Sequence, residues 1–561
     1  MTRRQFAWCL AGLIGLAALL RSVYPTADPP WNPGVGVVWH DEGAWTHNAR
    51  NRALYGAWVQ DEWNPLYIAP VFTVLEYVSF AAFGVGLWQA RLVSEVTGLL
   101  SVLVLSLGVA RLAGREAGLV AGALLGSNYV YAMYNRAATM EASMAAFIVG
   151  AWYAYARADA RAAWGWIAAL CALLAFFTKA AAVFFLLALA LDALIAVIRP
   201  TTPGSRAAGR ATLVGLAVCS MVALAVFVLP HWSEYRFYNW QVSVTRKPSY
   251  DLGSVLDRLT WFPVLHDIFT RMWVTTLLAV AALFAMLARA PRLAPAERLL
   301  GLWVTIGSLE LLAHDVGNER RFVFLVPAVA ALAAIVLVRE RRLARPELAE
   351  VKGRYALLLL VPAGYAMYVL AGSAVRLLAI YQIRPGVRVG AFVTVAALAF
   401  IALTWPALAH RLARERWSVM AGLLLAGVLT AGQLAQFIQW AAGRTYKNYA
   451  ASLELGRRLP PGTLVHGKLA NGLSLDSRIR PIFVGRGFGN YEDRRQRDDV
   501  RYILTYVAPR IGYEGPVIEE VLEAYPNRTI VMTFDVAETP TGHDRAALID
   551  KFGAGGGSGG R

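Results

Sequence analysis

The segment Trp39-His40-Asp41-Glu42-Gly43-Ala44-Trp45-Thr46-His47-Asn48-Ala49-Arg50 gathers acids, imidazoles and indoles within a few helical turns. Two adjacent carboxylates head a helical pattern, and a carboxylate so held can take a proton from an attacking hydroxyl as a general base. The plainer role is electrostatic, since Asp and Glu suit an N-cap and the first helical turn, where backbone N–H groups are free. Spacing alone leaves both roles open. His40 and His47 flank the acids, but their spacing matches no strong metal-ligand motif, so no metal and no other cofactor is expected. A second candidate is Gly485-Arg486-Gly487-Phe488-Gly489-Asn490. A dinucleotide fingerprint needs G-x-G-x-x-G opening an apolar-faced helix. Here Asn490 stands in the last position and the charged run Tyr491 to Asp499 follows, so the strip reads as a loop.

These residues belong to a chain whose solvent is mostly lipid. Of its 561 residues 57% are hydrophobic and 16% charged, with a mean hydropathy of +0.47. Soluble domains carry about 25% charged residues, and single cores stop growing at roughly 250–300 residues. A spanning helix needs about 20 mostly apolar residues. Such runs begin near Phe6, Trp88, Ala117, Ala138, Ala163, Ala181, Ala211, Met272, Leu299, Arg321, Tyr355, Val387 and Trp417, which gives about thirteen spans. Met1 to Leu20 lacks a convincing small-residue cleavage site and reads as a retained first helix.

The net charge of +17 does not point to nucleic acid, because the arginines lie in short clusters between apolar runs. Arg3–Arg4, Arg111 with Arg115, Arg157 with Arg161, and Arg199 with Arg206 and Arg210 occupy alternate connections, as do the clusters at 289–298, 339–354 and 411–416. That is the positive-inside pattern of the cytoplasmic (inner) membrane of a prokaryote, and an odd span count puts the C-terminal part outside. The apolar run Leu66 to Gly84 would invert every later connection if it spanned. Pro70 and Glu76 interrupt it, so it reads as a helix along the outer surface with a polar edge and an apolar face. It lies in a first external loop, 22–87; the second, 231–270, is rich in Trp, Tyr and Phe, as headgroup depth favours. Cys9, Cys171 and Cys219 all lie in apolar runs and imply no disulfide framework.

The resulting division is a transmembrane domain at 1–445 and a soluble extracytoplasmic α/β domain at 446–553, with strands at Thr463–Val465, Pro481–Val484, Val500–Tyr506 and Thr529–Phe534. Residues 554–561, Ala-Gly-Gly-Gly-Ser-Gly-Gly-Arg, read as a linker remnant. The fold class is an α-helical polytopic membrane protein with a small C-terminal α/β domain.

The string DEGAWTHNARNRALYG, starting at Asp41, resembles the first-loop motif of the GT-C membrane glycosyltransferases, which include protein O-mannosyltransferases and lipid A aminoarabinose transferases. Phe83-Gly84 with Arg91-Leu92 is similar to the family's entry to its second span, and Arg136 through Glu141 to its R-x-A-x-x-D/E. Thr178-Lys179 resembles its TK, and Arg321-Phe322 through Pro327 its Arg-aromatic pair followed by Pro; the likeness covers roughly Met1 to Val338. It implies an inverting transferase that moves a sugar from a polyprenyl-phosphate (undecaprenyl-phosphate) donor to a lipid, glycan or protein acceptor on the extracytoplasmic face.

By that resemblance Asp41 activates the acceptor hydroxyl, with Glu42 and Glu141 as further acids of the site. Lys179, Arg320, Arg321 and Arg91 contact the donor phosphate, which needs neutralisation and bidentate forks. One of the adjacent pair Arg320–Arg321 must point elsewhere, and Arg321 is the one expected to face the phosphate. Trp45 and His47 count among the substrate contacts. The likeness is incomplete: Trp45 stands where aminoarabinose transferases tend to have Tyr, Ala69 precedes Pro70 where they favour Lys, and the mannosyltransferase HPP element is absent. The reading from another class is a transporter or lipid flippase, which would place ionisable groups at the midplane of inverted repeats. Here they fall at one face, and no repeat is seen.

Overall fold

The computed structural model describes residues 1–30, 37–241, 248–287, 289, 292–314, 319–341, 354–380, 416–483, 497–507, 515–537 and 544–553. Helix α1 (Arg3–Ser22) opens on a capping box in which Thr2 and Gln5 satisfy each other's backbone N–H groups. Two short helices follow, α2 (Trp39–Trp45) and α3 (His47–Tyr55), then α4 (Pro70–Phe83) and α5 (Leu87–Ala113). Next come α6 (Arg115–Gly126), α7 (Tyr129–Asn135), α8 (Met140–Ala158), α9 (Trp164–Thr178), α10 (Val183–Ile198) and α11 (Ser205–Ala223). Later helices cover Trp273–Leu287, Pro295–Ala313, Val326–Ala334, Arg354–Ile380 and Val419–Ala442.

Every expected apolar run except the one near Val387, which lies outside the described residues, falls on one of these helices. By length and composition six described helices can cross a membrane, or seven if the pair Leu252–Arg271 and Trp273–Leu287, bent by 102°, counts as one. Fewer than thirteen qualify because some runs fold as short helices: α6 has 12 residues and α9 has 15, against the about 20 that a span needs.

The centre of the bundle is the stretch Glu319–Glu340, a 3-10 turn running into a helix and then a π-turn, whose apolar window is 94% buried. Apolar on all sides, it packs among α5, α6, α8 and the helix Pro295–Ala313. Two buried indoles close polar gaps in this core: Trp152 Nε1 donates to the Ala296 carbonyl at 2.9 Å and Trp303 Nε1 to the Phe324 carbonyl at 3.1 Å.

Helix α4, with 14 residues, is too short to span, and it has two faces. Val74, Val78 and Phe83 are exposed while Phe72, Thr73, Glu76 and Phe80 are buried. The polar edge expected at Glu76 is therefore not turned to solvent. Its carboxyl faces the protein, with no hydrogen-bond partner on either oxygen among the described residues.

The C-terminal part holds a five-stranded mixed sheet in the order β2-β1-β3-β5-β4. Its strands are β1 (Leu464–His466), β2 (Arg480–Ile482), β3 (Tyr502–Tyr506), β4 (Thr529–Val536) and β5 (Asp544–Asp550). β1 runs parallel to β2 and β3, and β5 pairs antiparallel with both β3 and β4. Strand β5 was not foreseen, because Asp-Arg-Ala-Ala-Leu-Ile-Asp is charged at its ends and lacks a clean alternation. Helix Lys447–Arg458 covers the sheet with Asn448, Ala451, Ser452 and Leu455, the i, i+3, i+4, i+7 stripe of an amphipathic helix. The glycine strip at 485–490 lies outside the described residues.

The sheet is joined tightly to the segment that follows α1. The segment after β1, Lys468–Gly472, lies against α2. A Cβ at Gly43 would sit 1.8 Å from the Asn471 carbonyl oxygen, and one at Gly472 would sit 2.8 Å from the His40 Cα. Both positions admit only glycine at this separation. Asp28 adds a second tie, accepting from Thr445 Oγ1 at 2.6 Å and from the backbone N–H groups of Lys447 and Asn448 at 2.7 and 3.1 Å.

Candidate active site

Helix α2 begins after Val38, which makes no side-chain cap, so Asp41 and Glu42 occupy the first turn without being the N-cap. Both carboxylates gain from the free N–H groups there, and they point to different partners. Glu42 is held by Arg91 through two parallel bonds of 2.8 Å, and it also accepts from the Ala138 N–H at 2.9 Å. Asp41 accepts from Arg320 Nη1 at 2.6 Å.

Arg320 lies on the 3-10 turn Glu319–Leu325, which leads into a helix with Pro327 in its first turn. Its Nε approaches Glu141 Oε1 at 3.8 Å. Glu141 stands in the first turn of α8 and is fully buried. Its other partner is Lys179, whose ammonium donates to the same oxygen. Lys179 is placed by a break: α9 ends at Thr178, Lys179 is extended, and a short 3-10 turn starts α10's run. The result is a chain of alternating charge, Asp41–Arg320–Glu141–Lys179, contributed by four separate segments. Tyr134 of α7, also buried, lies within electrostatic reach of Asp41, Glu141 and Arg320.

Not every expected residue joins this chain. Arg321 turns away and donates to the His314 carbonyl, so of the adjacent arginines it is Arg320 that holds the acids. Arg91, expected as a phosphate contact, has most of its fork committed: beyond Glu42 it donates to the carbonyls of Pro25 and Ala27 at 2.8 Å each. Arg136 likewise donates to the carbonyls of Leu20, Arg21 and Tyr24 and braces the end of α1. His47 is enclosed, with Nε2 2.9 Å from Asp61 Oδ1, and with Arg50 Nη2 and Asn471 Oδ1 within 2.9 and 3.1 Å of Nδ1. Trp45 shares a helix face with Asp41, four residues before it, and packs on Trp63 at 5.6 Å between ring centroids. Trp63 in turn stacks on Phe483 of the C-terminal part at 4.8 Å.

Several participants gave no signal in the sequence. Glu310, near the end of Pro295–Ala313, lies within electrostatic reach of Arg321, His314 and Lys179, and its Oε2 has no hydrogen-bond partner among the described residues. Asn471 and Ser474, which meet His47 and Arg50, lie 424 positions from their partners. Among the described residues no group of three or more His, Cys, Asp or Glu side chains is arranged to hold a metal ion.

Residues 68–228, which include α4 through α11, match the family model of dolichyl-phosphate-mannose-protein mannosyltransferases. No curated protein matches the sequence. Among solved structures, ArnT from Cupriavidus metallidurans bound to undecaprenyl phosphate is similar with a TM-score of 0.54 and 15% identity, over 97% of each chain. The same protein in its apo state gives the same values. The match covers nearly the whole of both chains, and in that architecture this multi-pass membrane protein has the GT-C fold.

Proposed function

We propose that the protein is an inverting glycosyltransferase that takes a sugar from a polyprenyl-phosphate carrier and transfers it to an acceptor on the extracytoplasmic face. The observation that carries this reading is the convergence of Asp41, Glu141, Lys179 and Arg320 at one place. Ionisable groups at membrane depth are costly and are kept for function. Cations beside carboxylates suit a reaction in which one anion leaves and one proton moves. Lys179 and Arg320 neutralise the carrier phosphate, and Glu141 balances the charge of both. The acceptor hydroxyl attacks the anomeric carbon from the face opposite the phosphate, the bond from carbon to phosphate oxygen breaks, and the proton passes to Asp41. One displacement inverts the anomeric centre. The carrier leaves as polyprenyl phosphate, stabilised by the cations that bound it. No nucleotide is needed, because the donor already carries its leaving group.

Arg91 and Glu42 position α2, and Trp45 and His47 belong to its supports. ArnT of Cupriavidus metallidurans binds undecaprenyl phosphate, and the same carrier class is assigned to this chain. The test is purified protein with labelled polyprenyl-phosphate sugars. Transfer or hydrolysis of the label is expected. Asp41→Asn keeps shape but loses the base, and its turnover at saturating donor should fall by about 10²–10⁴-fold. Near-wild-type turnover of that variant would remove Asp41 as the base.

A further inference from the structure

The charges of the site are balanced within the protein. Each central cation faces a carboxylate: Arg320 holds Asp41 at 2.6 Å and reaches Glu141 at 3.8 Å, while Lys179 donates to Glu141. The cost of burying charge explains why. Uncompensated cations in a low-dielectric pocket lose their hydration at high cost, so cations gathered there need neighbouring anions. A carboxylate presents two acceptor oxygens, as phosphate does, and fits the same guanidinium fork. The acids therefore compete with a phosphate for the same cations.

They cannot do so and also act. A carboxylate whose oxygen is held by a guanidinium is a poor proton acceptor, because the neighbouring cation favours its charged form. We infer that donor binding is an ion-pair exchange: the carrier phosphate displaces Asp41 from Arg320, and only then is Asp41 free to accept the acceptor's proton. The inference rests on the proposed function and adds an order to it, donor before acceptor activation. It also gives release a cause. After transfer Asp41 is protonated and neutral and does not compete for Arg320. Once it loses that proton to water it recaptures Arg320 and expels the carrier. Proton balance closes over the cycle, with one proton taken from the acceptor and one given to solvent.

The exchange makes an unusual prediction, since removing a site acid should improve phosphate binding. The experiment measures the affinity of full-length protein in detergent for undecaprenyl phosphate, used without sugar or acceptor. Asp41→Asn should bind about tenfold more tightly than wild type, because Arg320 no longer has to be taken from an anion. Glu141→Gln, which releases Lys179, is a second arm and should also tighten binding. Arg320→Gln should weaken it, and Asp41→Asn placed on Arg320→Gln should give no gain, as a double-mutant cycle requires of a specific pair. Unchanged or weaker binding by both acid variants would overturn the exchange, and so would a gain that persists without Arg320. Failure of the wild type to bind the carrier phosphate at all would instead strike the proposed function.

Discussion

Arg91 carries five N–H groups, four of which donate to the Glu42 carboxylate and the carbonyls of Pro25 and Ala27. Arg91→Ala should therefore act on folding more than on ligand: a buried carboxylate left alone costs about 3–5 kcal/mol. A large drop in melting temperature and yield is expected, partly rescued by Glu42→Gln in the same chain. A stable variant with weakened carrier binding would make Arg91 a phosphate contact after all. Lys179→Ala is the opposite case. Charge-assisted hydrogen bonds contribute about 1.5–3 kcal/mol, so carrier affinity should fall by about ten- to a hundredfold, measured with undecaprenyl phosphate; unchanged affinity would take Lys179 out of the site. Local motifs made these residues legible, because Asp41–Glu42 and Thr178–Lys179 announce themselves within a few positions. What spacing could not convey was pairing. Whether Asp41 or Glu42 is committed elsewhere, and which of Arg320 and Arg321 turns inward, depends on partners that lie 7, 49 and 279 positions away.

At the level of elements, the joint between α2 and Lys468–Gly472 decides how rigidly Asp41 is held. Gly43→Ala forces a Cβ to within 1.8 Å of the Asn471 carbonyl oxygen, backbone that cannot swing aside. Small displacements of reacting groups cost about 10²-fold, and a fall in turnover of that order is expected from steady-state assays. Gly427→Ala, with nothing within 4 Å of its Cβ, is the matched control and should be neutral. Preserved turnover in Gly43→Ala would show the joint to be loose. Asp476 offers a second probe of the same seam. Burial pushes its carboxyl from 3.8 up to about 6, against the pull of the Leu87 N–H and Arg91. The raised value means that folding takes up a proton in this window, so stability falls as pH rises from about 4 through about 6 and the full cost remains above. Asp476→Asn should melt higher than wild type at about pH 8 and level with it at about pH 4; parallel curves would place Asp476 in solvent. The sequence revealed α2 through its acidic first turn, but assigned the possible cap to the acids themselves, whereas Val38 precedes the helix and contributes no side-chain bond. Strand β5 escaped because its pairing with β3 and β4, not its own pattern, makes it a strand.

For the whole molecule, sidedness is the quantity that alternating basic connections fix. In a background without Cys9, Cys171 and Cys219, a cysteine at the exposed Asn527 should react with a membrane-impermeant maleimide in intact cells. One at the exposed Ala207, beside Arg206 and Arg210, should react only after lysis. Equal labelling of both would sink the topology. Lipid as the main solvent was legible from composition alone, because a charge fraction of 16% is a property of the entire chain. The number of crossings was not, since hydropathy does not tell a full span from the 12-residue α6 or from a pair bent by 102°. Strand order has a consequence in time. The last strand to be synthesised, β5, lies between β3 and β4, so neither neighbour can complete its hydrogen bonds until residue 550 has left the ribosome. Until then β3 and β4 each present an open edge. The newborn chain must therefore keep two sticky strands apart while its membrane helices are already in place, and a ribosome stalled before Asp544 would leave an assembled bundle carrying an unfinished cap, ready for proteases.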